Sequence, residues 1–141
     1  MSANIHFFLE DIHYRIRRIR ALQKWIQTSI EQEQLVAGNI NIILCSDDYL
    51  HQKNVQYLNH DSLTDIITFD YSEESAVHGD LFISLDRVKD NSVDRKLRLD
   101  EELHRVIIHG VLHLCGYMDK SLKDSDIMTN KEDFYLSLRP F

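Results

Sequence analysis

The segment that most constrains the fold is residues 106–115, VIIHGVLHLC, in which every position except His109, Gly110 and His113 is apolar. A helix of this composition is buried on most sides, so its histidines need polar partners. His109 and His113 are four residues apart, which places them about 40° apart on one helix face, with one turn between them. That spacing lets two imidazoles bind one metal ion.

Residues just beyond this helix complete a candidate ligand set. Gly116 can adopt the left-handed conformation that ends a helix, and the chain then turns back so that Asp119 reaches the same ion. Three protein ligands leave the fourth position of a tetrahedral zinc open, as in catalytic sites. The residues therefore predict one Zn²⁺ per chain, held by His109, His113 and Asp119. They also predict hydrolysis by a metal-bound water whose pKa is lowered to about 7.

The alternative is that these histidines are structural. A single histidine in an apolar segment is more often a hydrogen-bonded core residue than a ligand, but the paired spacing followed by Gly and Asp favours the metal site. His104 lies about 140° from His109 on the helical wheel and is assigned to the structure. Glu102 and Arg105 fall near the histidine face, where they predict either a contact that orients an imidazole or an ion pair within the helix.

The rest of the chain shows further β-like and helical patterns. Alternating or apolar runs predict strands at residues 4–9, 39–45, 64–71 and 79–85. Helical spacing predicts helices at residues 11–32, 46–59, 97–115 and 123–138, the last with Ile127, Met128, Tyr135 and Leu138 toward the core. Strands interleaved with helices predict an α+β or mixed α/β layer in a single domain over residues 1–141.

The charge balance argues mildly against a protein that coats nucleic acid by bulk attraction. The 141 residues carry a net charge of −7, whereas bulk phosphate binding needs a basic surface. Arg17, Arg20 and Lys24 form a basic stripe on the first predicted helix. A solvated helix face is favoured over a phosphate-binding surface for this stripe.

Composition also bears on location. No apolar run approaches the about 20 residues of a membrane span, and the first residues lack the basic flank and long apolar stretch of a secretory signal. A cytoplasmic protein without membrane contact is therefore expected. Cys45 and Cys115 form neither a disulfide framework nor a paired-thiol motif, so both are expected to be reduced and buried.

The string from His109 to Asp119 resembles two families. Its spacing is similar to that of the metzincin proteases, H-E-x-x-H-x-x-G-x-x-H or D, but Gly110 stands where the protease carries its glutamate base. It is more similar to the YbeY family of metal-dependent endoribonucleases, whose signature is H-G-x-L-H-L-x-G-Y-D-H. Residues 64–69, TDIITF, resemble that family's T-D-V-L-S-F strand, and residues 79–84, GDLFIS, resemble its G-D-I-x-I-S strand.

The resemblance implies an α+β fold in which a small mixed sheet of about four strands packs with about five helices. The metal site then lies at the C-terminal end of the buried central helix. The resemblance also implies a single-strand-specific, zinc-dependent endoribonuclease. Such an enzyme acts at the 3′ end of small-subunit ribosomal RNA and in ribosome quality control, with RNA and the ribosome or its proteins as partners.

The resemblance further suggests that Asp65 and Asp80 line the cleft near the metal. For Asp80 a catalytic role and a structural role are equally expected, whereas for Asp65 structural hydrogen bonding is favoured over catalysis. Substrate contacts are expected from Asp65, Arg105 and Lys120.

Two positions depart from the family pattern. Asp119 stands where the third ligand is usually histidine, and Leu58 stands where members often carry arginine. If that arginine holds phosphate, then either another cation substitutes for it, with Lys120, Lys53 and Arg105 as candidates, or activity is weaker.

The sequence leaves the chemistry partly open. Either water or the 2′-hydroxyl of the RNA could be the nucleophile. A non-catalytic ribosome-assembly factor braced by a metal is the main alternative function, favoured by the acidic balance and by Leu58. A metallopeptidase is the weaker alternative.

Overall fold

The computed structural model describes residues 4–58 and 64–141. Strands and helices follow in the order β1 Asn4–Glu10, α1 Ile19–Gln32, β2 Val36–Cys45, α2 Asp47–Leu58, β3 Ile66–Asp70, β4 Ala76–Ser84, α3 Leu85–Arg95, α4 Leu99–Leu114 and α5 Leu122–Ser137. No helix in these two ranges combines the length and the apolar character that a membrane crossing requires.

The four strands form one mixed sheet in the order β1-β2-β4-β3. The β1–β2 and β2–β4 pairs are parallel, which needs long connections, and helix α1 provides the first of them. Strands β3 and β4 pair antiparallel, with Ile67 opposite Phe82, as neighbouring runs in the sequence predict. The predicted α+β fold with a small mixed sheet and about five helices is confirmed.

Side chains alternate between the two faces of the sheet. On one face Ile42 of β2 and Leu81 of β4 join the main core, which includes helices α1 and α4. On the other face Cys45 and Ile67 form a smaller core with Leu50 of α2. Both cysteines are free, with Cys45 buried as expected and Cys115 only half-buried. Helix α4 therefore lies on one defined face of the sheet.

Helix α4 is the most buried helix. Its buried apolar side chains are Leu103, Val106, Ile107, Ile108, Val111, Leu112 and Leu114. Each contributes roughly 1.5–3 kcal/mol when it leaves water, so α4 cannot leave the core without unfolding it.

Two glycines set the distance between α4 and the sheet. A Cβ added at Gly110 of α4 would lie 2.6 Å from Cδ1 of Ile66. A Cβ added at Gly79 of β4 would lie 2.7 Å from both Cδ2 of Leu114 and the backbone oxygen of Phe69. The helix rests on the strands at a separation that a larger residue would increase, and the histidine-bearing face of α4 is fixed by this contact.

The first predicted helix is too long. Helix α1 begins at Ile19, not at residue 11, and Asp11 and Arg18 have φ values of 60° and 59°. In the preceding segment Ile12, Tyr14 and Ile16 pack against the main core while the residues between them are exposed. This two-residue alternation indicates an extended chain, and it competes with the helical spacing in the same residues.

The last predicted helix is correct in extent but only half correct in its buried face. Met128 and Tyr135 are buried, whereas Ile127 and Leu138 are 39% and 44% exposed. Helix α3 was not predicted at its position, because Leu85 and Val88 are its only buried apolar residues and Val93 is exposed.

We predict that Gly79→Ala lowers the free energy of unfolding by about 1–3 kcal/mol, because the added methyl group meets a backbone oxygen that cannot move aside. Gly110→Ala is the matched control. It meets the end of a flexible side chain and gains about 1 kcal/mol of helix propensity, so its net cost is smaller. Urea unfolding of the two variants measures the difference, and the reverse order would contradict this account of α4 packing.

Candidate metal centre

Helix α4 ends in a turn that brings the loop back over its last residues. Gly116 has a φ of 106°, which glycine adopts without strain. Its N–H donates to the oxygen of His113, and the N–H of Tyr117 donates to the oxygen of Leu112, each at 3.0 Å. These two bonds are the Schellman pattern of helix termination. The turn explains how Asp119 reaches the histidine face.

The turn brings His109, His113 and Asp119 together. The Nε2 atoms of the two histidines are 3.0 Å apart. Oδ2 of Asp119 lies 3.2 Å from Nε2 of His109 and 3.4 Å from Nε2 of His113. Both imidazoles are 24% exposed and Asp119 is 38% exposed, so the cluster is accessible from solvent.

The hydrogen bonds of the two imidazoles fix which nitrogen carries the proton. Nδ1 of His109 donates to Oε2 of Glu132 at 2.6 Å, and Nδ1 of His113 donates to the backbone oxygen of Tyr117 at 2.9 Å. Because both acceptors hold a proton at Nδ1, each neutral ring presents the lone pair of Nε2 to the other.

This donor set fits a metal ion. Two lone pairs at 3.0 Å repel each other unless a cation lies between them, and a carboxylate oxygen faces the same point. A tetrahedral zinc with ligands at about 2.0–2.1 Å has ligand atoms about 3.3 Å apart, which matches the observed separations. The residues present therefore fit a zinc ion with three protein ligands.

Glu132 orients His109 and is the residue that sequence reasoning missed. It lies 23 residues away on α5, and its side chain is 8% exposed. Its position in the sequence could have indicated this role, because Glu132 shares the buried face of α5 with Met128 and Tyr135. A buried carboxylate on that face needs a polar partner.

Arg105 holds Glu132 in place. Its Nη1 donates to Oε1 of Glu132 at 2.9 Å, and its Nη2 donates to Asp133 at 2.7 Å. Glu102 instead pairs with Arg95 at 3.2 Å. Within the described residues, Glu102 and Arg105 neither hydrogen-bond to an imidazole nor pair with each other, and Arg105 acts on His109 only through Glu132. Burial lowers the pKa of His109, but the hydrogen bond and charge of Glu132 and the charge of Asp119 outweigh this, so the pKa is raised.

A second network fixes the loop after α4. The Tyr117 hydroxyl donates to Oε1 of Glu33 at 2.5 Å, and Lys131 and Tyr135 donate to the other oxygen of Glu33. Burial raises the pKa of Glu33, but these three hydrogen bonds outweigh burial and hold the pKa below its usual value. Glu33 thus anchors the residue whose carbonyl orients His113.

A cavity of about 350 Å³ opens beside the cluster. Residues that line it include Asp65, Arg95, Glu102, Arg105, His109, Asp119 and Glu132. Asp65 therefore lies in the cleft, as the sequence suggested. Arg95 is a cleft cation that sequence reasoning did not select, and its side chain is 54% exposed.

The sequence matches a known protein family over most of its length. The model of the family described as Endoribonuclease YbeY matches residues 7–138. The chain belongs to the YbeY family. A relative of that name from Cytophaga hutchinsonii is 48% identical over 138 residues, which cover 97% of this chain and 96% of the relative. Another from Flavobacterium psychrophilum is 49% identical over 131 residues, which cover 93% and 94%.

The fold is also found among solved structures. The solution structure of a Thermotoga maritima protein superposes with a TM-score of 0.67 at 28% sequence identity, covering 94% of this chain and 87% of that one. The sequence resemblance to the YbeY family is confirmed.

The structure separates Asp80 from the cluster, contrary to the expectation drawn from the YbeY strand motif. Gly79 and Leu81 face α4, so Asp80 between them points to the opposite face of the sheet. There it accepts a hydrogen bond from Asn41 at 3.0 Å and lines a different cavity. A catalytic role for Asp80 is therefore withdrawn, because the sheet lies between it and the histidines.

The cations proposed to replace the arginine of other YbeY members differ in position. Lys120 is exposed directly after Asp119. The ammonium group of Lys53 lies 4.8 Å from the centre of the Tyr57 ring, and Arg105 is occupied by two carboxylates. The side chain of Leu58 lies outside the described part of the chain. Arg95 remains the half-exposed arginine that lines the cleft.

His104 lies away from the cluster, as its position on the helical wheel predicts. It is buried, its Nδ1 accepts a hydrogen bond from Arg139 at 2.9 Å, and its ring contacts Trp25 and Phe141. Burial, and then the charge of Arg139, lower its pKa to about 4.

We predict that Glu132→Gln weakens zinc affinity about 10- to 100-fold, since the neutral amide makes His109 a poorer ligand. Asp126→Asn, an exposed change of the same kind on α5, is the control and retains the affinity. Competition with a chromophoric chelator measures both constants. Equal affinity in the two variants would show that Glu132 does not orient His109.

A second prediction concerns pH. Because the pKa of His104 is lower in the folded chain than in the unfolded chain, its contribution to stability is complete above about pH 6.5 and is lost as the pH falls toward 4. The loss amounts to about 3 kcal/mol. His104→Gln keeps a hydrogen-bond acceptor but does not titrate, so its free energy of unfolding falls less over this range. Urea unfolding at several pH values measures the free energy of unfolding of both proteins. An equal decrease in both as the pH falls from 6.5 to 4 would show that His104 does not cause the loss.

Proposed function

We propose that this chain is a zinc-dependent endoribonuclease that cuts single-stranded RNA in the cytoplasm. Its role would be the processing of the 3′ end of small-subunit ribosomal RNA and ribosome quality control, with the ribosome or its proteins as partners. The observation that carries the proposal is the convergence of two Nε2 lone pairs and one carboxylate oxygen at separations of 3.0–3.4 Å. Relatives that share nearly the whole chain carry the name endoribonuclease.

In this mechanism His109, His113 and Asp119 hold the ion. When bound, zinc supplies a Lewis acid that stabilises charge developing on a phosphoryl oxygen. Asp119 in place of a histidine adds negative charge to the ligand set, which reduces that acidity.

Other residues of the cleft position the ligands and the substrate. Glu132 and the Tyr117 carbonyl each hold a proton on Nδ1, so both histidines keep Nε2 free. Asp65 supplies a carboxylate in the same cavity that can accept a proton from an attacking hydroxyl. Arg95 is half-exposed there and can contact a phosphate with the guanidinium nitrogens that Glu102 leaves free.

The alternative is a non-catalytic assembly factor in which the metal braces the fold. The charge of the cleft favours it, because Asp65, Glu102, Asp119 and Glu132 outnumber Arg95 and Arg105 among the charged lining residues. A peptidase is disfavoured by Gly110. A glutamate at that position would point into the sheet at Ile66, not toward the histidines.

We predict that the wild type binds about one zinc per chain and that His113→Ala and Asp119→Ala weaken or abolish this binding. In both variants the rate of cleavage of an unstructured RNA falls by at least about 100-fold, because loss of one group that stabilises the transition-state charge has an effect of this size. Elemental analysis and gel assays measure the two effects, with exposed His13→Ala as the control.

Two readouts separate the alternatives. Loss of cleavage with folding and RNA binding intact supports catalysis, whereas global unfolding of His113→Ala supports a metal brace. Product ends identify the nucleophile, since a 2′,3′-cyclic phosphate indicates the RNA hydroxyl and a 5′-phosphate indicates water.

A further inference from the structure

A dense group of positive charges lies far from the metal ligands in sequence. Five of the 16 Lys and Arg residues fall within residues 15–24, and no Asp or Glu lies between Asp11 and Glu31. We call them the N-terminal basic surface: Arg15, Arg17, Arg18, Arg20 and Lys24. All five are exposed. Because the net charge of the chain is −7, everything outside this surface carries −12.

The arginines of the chain divide into two groups by their partners. Each arginine outside the basic surface forms an ion pair with a carboxylate; these are Arg87, Arg95, Arg98, Arg105 and Arg139. Within residues 4–58 and 64–141 no residue of the basic surface forms one. Arg18 instead lies with its guanidinium carbon 5.8 Å from the centre of the Phe141 ring.

The unpaired cations lie around the start of α1 and line two cavities. Arg18 adopts a left-handed φ of 59°, which costs a non-glycine residue about 1–2 kcal/mol. Arg17 and Arg18 line a cavity of about 140 Å³ together with Arg98 and Arg139, whose carboxylate partners Asp100 and Glu101 also line it. Arg20 and Lys24, one helical turn apart, line another of about 310 Å³. Like charges repel, and the cavity beside Arg20 and Lys24 has no carboxylate among its lining residues, so an anionic partner would relieve the repulsion there.

The cleft itself lacks the charge to attract a polyanion. Its acidic residues outnumber its arginines, and only Arg95, which is half-exposed and paired with one carboxylate, has guanidinium nitrogens free for a phosphate. RNA affinity comes mainly from cations that neutralise phosphates and release counterions. A nuclease with this cleft therefore needs a basic surface elsewhere.

We propose that the N-terminal basic surface binds the phosphate backbone of single-stranded RNA outside the cleft. The inference rests on the proposed function, which supplies RNA as the substrate. Guanidinium groups bind phosphate through two parallel hydrogen bonds, and four of the five cations are arginines. The cavity beside Arg17 includes Asp100 of α4, which is about 14 Å along the helix axis from His109. The surface thus engages nucleotides other than those at the metal centre.

The test is the salt dependence of RNA binding. The double variant Arg17→Gln/Arg20→Gln removes two cations that have no ion pair in the described residues. The matched control Lys89→Gln/Lys123→Gln removes two exposed charges on α3 and α5. A fluorescently labelled single-stranded oligoribonucleotide is titrated with each protein over a series of KCl concentrations. Gels confirm that the strand stays intact, and circular dichroism confirms folding.

The expected result is weaker binding by the Arg17→Gln/Arg20→Gln variant. Its slope of log K against log[KCl] should be flatter by about 1.4, because each lost phosphate contact removes about 0.7 for a single strand. The control should keep the wild-type slope. Equal slopes in the two variants would overturn the proposal.

Two further outcomes separate the possible causes of failure. Unchanged RNA binding with lost binding to polyglutamate would assign the surface to an acidic protein and would also overturn the proposal. Wild-type cleavage of the same RNA is assayed separately. A slope change without cleavage supports the surface and contradicts the nuclease function, whereas cleavage without a slope change overturns the surface alone.

Discussion

The close contact between α4 and strand β4 is the constraint on which the rest of the structure depends. Gly79 and Gly110 let the helix approach the sheet, and the apolar residues of α4 then bury most of its circumference. Successive residues rotate by about 100°, so fixing the buried side also fixes the direction of His109 and His113. The candidate metal centre thus inherits its orientation mainly from apolar packing.

Hydrogen bonds then fix the orientation of the two imidazole rings more exactly than the apolar packing does. Glu132 of α5 and the Tyr117 carbonyl each bond one Nδ1, and Glu33 at the end of α1 anchors the Tyr117 side chain. Three separate elements thus hold two imidazole rings. Because each bond fixes a tautomer as well as a position, the site is arranged to donate lone pairs before any ion enters.

Local patterns predicted the parts of the molecule that depend on residues close in sequence. The His109–His113 spacing, the turn at Gly116 and the antiparallel neighbours β3 and β4 are of this kind. Glu132 could not be predicted as the partner of His109, since it is 23 residues away and only folding brings them together. The start of α1 was misplaced because residues 12–16 satisfy both a helical and a two-residue period. Asp80 was misassigned because a motif does not state which face of the sheet a residue occupies.

The groups that hydrogen-bond around His109 and His113 are translated at different times. Their carboxylates come from Glu33, directly after α1, and from Glu132 of α5. A nascent chain that has not yet released α5 from the ribosome lacks the group that orients His109. The candidate metal centre is therefore fully oriented only after α5 has been translated and packed against α4.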